Sequence, residues 1–333
     1  MSNPIVIDQS PELPESSLIP SRDSAVTLPG VDYRRLRELF GPYRRYLEFE
    51  RDYPPSSVNT YAKEGKRFIS WLEENPEPIS RGTFLRYREF LKGRYAPSTV
   101  NLALVGVRKF LAWLYDNQMI PENPALGLEG VRQRGRGKGH KRDALTPSEA
   151  RRLLESIPTG SAVGARDKAI IGAMLFGGLR TIEIRRVTMG HYRTRGNRRV
   201  LLLQGKGRSE ADDLIVIVPE LEAILAGWLA VHPNGGNAQA PIFCSLSKRS
   251  FGEPLSSSSI RRMIKARFKA AGIRDDSKST HSLRHSAITA VILGGGTLLQ
   301  AQRFARHDSP ETTQVYIHEI DRLENPPELL ISY

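Results

Sequence analysis

The sequence predicts a mostly α-helical protein of two domains, with a small antiparallel β-sheet in the second. Three observations carry that prediction. Apolar residues recur at three- and four-residue spacing along most of the chain. Two β-patterned runs, 198–204 and 213–218, flank a glycine-containing turn. Between the all-helical part and the mixed part lies EGVRQRGRGKGHKR (129–142), in which six Lys/Arg alternate with glycine. That stretch is too flexible for a helix and too basic for a core, so it reads as an interdomain linker.

Residues 1–30 contain five prolines and no aromatic residue, and are expected to be a disordered tail. From 31 to 128 an antiparallel helical bundle is expected. Val58, Tyr61, Gly65, Phe68, Ile69 and Leu72 form one stripe, with Ser56 or Ser57 placed to cap its start. Ser80 precedes Phe84, Leu85, Tyr87 and Leu91, and Ser98 precedes Val100, Leu104, Val107, Leu111 and Leu114. The second domain, 143–333, opens with a helix that Thr146 caps, Pro147 starts and Glu149 closes as a capping box. A helix at 166–176 follows, then the two strands, then helices at 219–230, 256–271, 282–293 and 297–305 and a short one near Tyr316. Cys244, in PIFCSL, reads as a small core residue on a buried strand.

The 333 residues carry 49 Lys+Arg against 36 Asp+Glu, a net charge of +13. The excess is uneven: −3 over 1–30, +9 over 31–142 and +7 over 143–333. Both folded parts are therefore positive, which favours a polyanion, nucleic acid first. The candidate backbone contacts are Lys63, Lys66, Arg67, Arg108 and Lys109 in the bundle and Arg132, Arg134, Arg136, Lys138, Lys141 and Arg142 in the linker. A single cysteine excludes an intramolecular disulfide and a multi-cysteine metal site. The longest apolar run, Ala169–Leu179, is 11 residues, too short to span a bilayer, and the first residues do not resemble a signal peptide. A reducing cytoplasm is the expected location.

Four stretches of the second domain carry chemistry: GLRTIE (178–183), QGKGR (204–208), HSLRH (281–285) and RHDSPETTQVYIH (306–318). Gly205-Lys206-Gly207 is not a phosphate-binding P-loop, because no Ser or Thr follows the lysine. His281 and His285 share a helical face, but no acidic third ligand accompanies them and Arg284 between them repels a cation. Together the stretches supply what transesterification at a phosphodiester needs. Arginines neutralise the phosphate, lysine and histidines move protons, and a phenol attacks.

In the order arginine, lysine, His-x-x-Arg, histidine, tyrosine, these residues resemble the tyrosine recombinase (integrase) family, and ETTQVYIH resembles the segment around its nucleophile. The likeness covers the second domain end to end, while the first looks like the family's helical core-binding (SAM-like) domain. It implies that Arg180 and Arg284 bind the scissile phosphate, Lys206 protonates the leaving oxygen, His281 takes the tyrosine proton, His307 orients the phosphate and Tyr316 attacks. Glu183 is expected to hold local structure. The resemblance further implies a two-domain, C-shaped clamp around duplex DNA and a 3′-phosphotyrosyl intermediate. A homotetramer on two specific sites would form a Holliday junction, with no cofactor, metal, membrane or small-molecule substrate. No arm-binding domain is expected ahead of residue 31, so the chain looks closest to compact Xer-type or transposon-borne members. Two departures stand out: Arg306 replaces the glycine usual before the second histidine, and Gly294-Gly295-Gly296 makes an unusually loose turn. The rival readings are a type IB topoisomerase and a catalytically silent DNA-binding accessory protein.

Overall fold

A computed structural model describes residues 33–132, 144–205, 210–273, 278–316 and 329. The chain forms two compact units that divide between residues 136 and 137. The expected disordered tail, most of the basic linker and the Lys206 turn lie outside the described residues. The elements are those of a mostly helical protein with one three-stranded antiparallel sheet.

The first unit consists of α1 (Tyr33–Glu38), α2 (Phe40–Arg45), a π-helical stretch (Tyr46–Glu50), α3 (Pro55–Glu74), α4 (Arg81–Lys92) and α5 (Pro97–Asp116). Its core holds Phe40, Tyr43, Leu47, Phe68, Leu72, Phe84, Tyr87, Leu91, Leu104, Phe110 and Leu114. Phe40 stacks on Phe110 with centroids 5.0 Å apart. Helices α3 and α5 approach closely at Gly106, where an added Cβ would lie 2.7 Å from the Glu64 Cβ. Two expected helix starts are corrected. The N-cap of α3 is Pro54 with Pro55 in its first turn, so neither Ser56 nor Ser57 caps it. The N-cap of α5 is Ala96 with Pro97 following, which leaves Ser98 inside the helix. Proline wins both starts because its φ is already helical and its missing N–H has no partner to lose there. Ser80 does cap α4, its Oγ accepting from the Thr83 N–H at 3.2 Å.

The second unit runs through α6 (Pro147–Glu155), α7 (Ala162–Gly177), α8 (Thr181–Arg186), β1 (Tyr192–Arg195), β2 (Arg198–Leu203), β3 (Asp213–Val216), α9 (Pro219–Leu229), α10 (Ser257–Ala270), α11 (Thr280–Leu293) and α12 (Leu298–Ala305). Thr146 caps α6 in the expected box, its N–H donating to Glu149 Oε2 at 2.8 Å. The sheet order is β1-β2-β3, with Tyr192 opposite Leu201 and Val200 opposite Val216. β1 and α8 carry no apolar periodicity and were not expected from the sequence. Cys244 is fully buried, but only an isolated bridge to Pro254 pairs it, so the expected strand there is not formed.

The apolar run that starts at Ala169 is the centre of this unit. α7 packs against α6, α9, α10 and α11, and its residues 169–174 are all buried. Its buried Asp167 accepts from Arg267 Nη2 at 2.6 Å and from Arg166 Nη2 at 2.7 Å. No described helix is long and apolar enough to cross a membrane.

Candidate active site

The site forms where two helices end against a third. α7 stops at Gly177, and Gly178 takes the left-handed conformation (φ 59°) that releases the chain into Arg180, the N-cap of α8. A Cβ on Gly178 would lie 2.9 Å from the Phe304 ring, so glycine serves both the turn and the packing of α12. α12 stops at Ala305, and Arg306 also adopts the left-handed conformation (φ 51°, ψ 52°). α11 passes beneath both ends.

Arg180 is held on both sides. Its Nη1 donates to Glu183 Oε1 at 2.9 Å, its backbone N–H donates to Oε2 at 2.7 Å, and its Nη2 donates to the Arg306 carbonyl at 2.6 Å. Its side chain keeps 31% of its surface exposed, against 4% for that of Arg306. Arg284, from α11, is only 7% exposed and donates to the carbonyls of Gly178 and Ala305. Burial, with the Arg180 and Arg306 charges nearby, pushes its guanidinium down to about 9. At neutral pH it is thus still charged, and an arriving anion would relieve it. Arg306 donates to Glu183 Oε2 at 2.9 Å, to Gly178 O at 2.9 Å and to Phe304 O at 2.9 Å. Burial alone would raise the Glu183 carboxyl, but Arg306 and Arg180 reverse that and hold it below the usual carboxylate range. Glu183 therefore has the structural role expected of it. Three guanidiniums around this one carboxylate leave the cluster with two positive charges in excess.

Tyr316 lies beside this cluster, 4% exposed, and packs with Ile288, Ala305, Ile292 and Phe304. Its ring is 5.1 Å from the His285 ring, tilted by 34°, and 6.3 Å from the His307 ring. His307 shares a 2.9 Å hydrogen bond between its Nδ1 and Thr313 Oγ1, and its backbone is clasped to Gln302 in both directions at 3.2 Å.

The structure thus gathers Arg180, Arg284, His307 and Tyr316, from three separate motifs. His281 opens α11 one turn before Arg284 and is exposed, on the rim of a groove of about 1190 Å³ lined also by Thr181, Arg261 and Lys265. Lys206 lies outside the described residues, but the carbonyl of Gly205 before it is held by Arg186 Nη1 at 2.7 Å. Sequence reasoning missed His285, which it weighed only as a metal ligand, and Thr313. Arg306, which departs from the usual glycine, has Glu183 as its acidic neighbour. The signal for His285 was its place beside Arg284: adjacent helical residues point about 100° apart, so both could face the site from different sides.

In the first unit the expected backbone contacts differ in their surroundings. Lys63, Lys66 and Arg132 are exposed. Arg67 pairs with Glu64 at 3.2 Å and stacks over Tyr95. Lys109 donates to the Tyr53 hydroxyl at 2.6 Å, and this bond holds the Tyr53 phenol below the ordinary tyrosine range. Arg108 keeps its Nε and Nη2 buried with no hydrogen-bond partner among the described residues. Arg134, Arg136, Lys138, Lys141 and Arg142 lie outside them.

Residues 143–322 match the phage integrase family, and residues 41–118 match the N-terminal SAM-like domain of phage integrases. The chain belongs to the phage integrase family. Among curated relatives of this integrase-family chain, the XerC tyrosine recombinase of Lactobacillus leichmannii is 26% identical over 280 residues, 82% of this chain and 91% of that protein. The tyrosine recombinase slr0733 of Synechocystis sp. is 30% identical over 174 residues, 52% of this chain and 54% of that protein. This chain therefore spans about half the length of that relative. Among solved structures, the XerH site-specific recombinase bound to palindromic difH substrate aligns with a TM-score of 0.67 at 20% identity, over 90% of this chain and 86% of that one. A lambda integrase tetramer bound to a Holliday junction aligns at 0.63 and 15% identity, over 84% and 76%. At these identities the likeness is one of fold: a two-domain integrase fold with the sheet in the second unit.

Proposed function

We propose that this chain is a site-specific DNA recombinase that cuts and rejoins duplex DNA through a 3′-phosphotyrosyl intermediate and a Holliday junction. The observation that carries the reading is the convergence of Arg180 and Arg284 on one carbonyl, that of Ala305, with the buried Tyr316 ring packed against the same residue. A phosphodiester carries one negative charge and its pentacoordinate transition state two. The two excess positive charges of the cluster match the second better than the first, as catalysis by charge stabilisation requires.

In the proposed cycle the Tyr316 oxygen bonds to phosphorus as the bond to the 5′ oxygen breaks. His281 takes the phenolic proton, Lys206 gives one to the departing oxygen, and His307 hydrogen-bonds a non-bridging oxygen. A 5′-hydroxyl from the partner strand then attacks the phosphotyrosine and releases Tyr316. The bond energy is conserved throughout, so no nucleotide hydrolysis is needed. The units of residues 31–128 and 143–333 would each contact the duplex, with the 129–142 linker as a strap along the backbone. Lys63, Lys66, Arg67, Arg108 and Lys109 would add phosphate contacts. Four copies on two sites would complete strand exchange in the cytoplasm, on nucleoid or element-borne DNA.

A nicked suicide substrate bearing the recombination site tests the reading. The wild type is expected to be trapped as a DNA-shifted band on a denaturing gel, and Tyr316→Phe to bind the duplex but give no band. An undiminished band in the variant would defeat the assignment of Tyr316. Relaxation of a supercoiled plasmid by a monomer, without strand exchange, would point to a topoisomerase instead.

A further inference from the structure

Arg306 stands in a conformation that disfavours it. A non-glycine residue in the left-handed region is disfavoured relative to glycine, so its side chain has to compensate. It does so by closing a buried cage: the side chain is 4% exposed, and its guanidinium lies between the Glu183 carboxylate and the carbonyls of Gly177, Gly178 and Phe304. Those carbonyls belong to the ends of α7 and α12, where the helix dipoles present partial negative charge.

The cage acts on Arg180 by two routes. Arg306 takes one side of the Glu183 carboxylate, whose other contacts are the Nη1 and backbone N–H of Arg180. Its own carbonyl also accepts from Arg180 Nη2 at 2.6 Å. We infer that Arg306 is a positioning residue for strand cleavage: it shares Glu183 with Arg180, so that Arg180 is aimed at the scissile phosphate without its charge being cancelled. Without Arg306, the whole carboxylate charge would fall on Arg180 and Arg284, and the excess positive charge of the cluster would drop from two to one. The cluster would then match the ground-state phosphodiester rather than its transition state.

This inference rests on the recombinase reading, and its test separates the two. Single-turnover adduct formation and equilibrium duplex binding would be measured for wild type, Arg306→Gly, Arg306→Lys, Glu183→Gln and the Glu183→Gln/Arg306→Gly double variant. Glycine suits the left-handed backbone, and lysine keeps the charge but not the fork. Cleavage by Arg306→Gly is expected to fall about 10- to 100-fold, as for other disruptions of reactant alignment, with duplex affinity unchanged. Arg306→Lys is expected to recover part of that rate. The double variant should be no slower than the slower single, because both act on one network. If wild type forms the adduct and Arg306→Gly matches its rate, the positioning role falls while the recombinase reading stands. Independent, multiplying rate reductions in the double variant would likewise overturn it. Should Arg306→Gly fail to fold by circular dichroism, an undiminished rate in Arg306→Lys overturns the inference by itself. If wild type forms no adduct, the recombinase reading falls and takes this inference with it.

Discussion

The rings of His285 and Tyr316 lie 5.1 Å apart at a tilt of 34°, so the imidazole walls the pocket that holds the proposed nucleophile. An aromatic pair of this kind contributes about 1 kcal/mol beyond its buried area. It also limits the directions in which the phenol can leave the pocket.

His285→Ala is therefore expected to destabilise the second unit by about 1 kcal/mol and to slow adduct formation while leaving duplex affinity intact. Urea denaturation and single-turnover cleavage measure the two effects. A variant that is less stable but cleaves at the wild-type rate would limit His285 to packing.

The proposed acid and the proposed charge stabiliser can be separated by leaving group. In a substrate with sulfur at the 5′ bridging position, the departing group needs no proton. Lys206→Ala should be slowed ~10²–10⁴-fold on the oxygen substrate and approach the wild-type rate on the sulfur one. Arg284→Ala should stay slow on both, since its role is charge stabilisation. Failure of sulfur to rescue Lys206→Ala would make the lysine a DNA contact.

Salt dependence tests the strap. Each phosphate that a linker cation neutralises adds about 0.9 to the steepness of log affinity against log salt. Replacing Arg134, Arg136 and Lys138 with alanine should therefore make that slope shallower by the same amount for every phosphate they engage. A slope that does not change would assign these cations to solvent.

The Glu183 carboxyl predicts an acid limb in stability. Its folded value is depressed, so its contribution is present above the unfolded carboxylate value, about 4.3, and is lost as pH falls through the folded one. Breaking such a buried pair costs about 3–5 kcal/mol. The stability gap between wild type and Glu183→Gln should thus be widest at neutral pH, begin to narrow near the unfolded carboxylate value and close as pH falls through the lower folded one. Thermal melts over that range measure it, and a gap independent of pH would mean that Glu183 acts through shape and not charge.

Much of this protein was determined by its sequence alone. Helices α4 and α6 were legible because Ser80 and Thr146 cap them through contacts only three residues long, which need no tertiary partner. Six candidate catalytic residues could be named because their types and order resemble those of the integrase family. Tertiary structure decided the rest. It packed the short α8, whose own periodicity was too short to specify a helix, against α10, and it set a strand at Tyr192–Arg195 by pairing with β2. It also brought Arg180 to the carbonyl of Arg306, 126 residues away, and turned Arg306 into the left-handed region to do so. No local preference specifies such a contact, because a buried charge is tolerated only where distant groups of opposite sign converge on it.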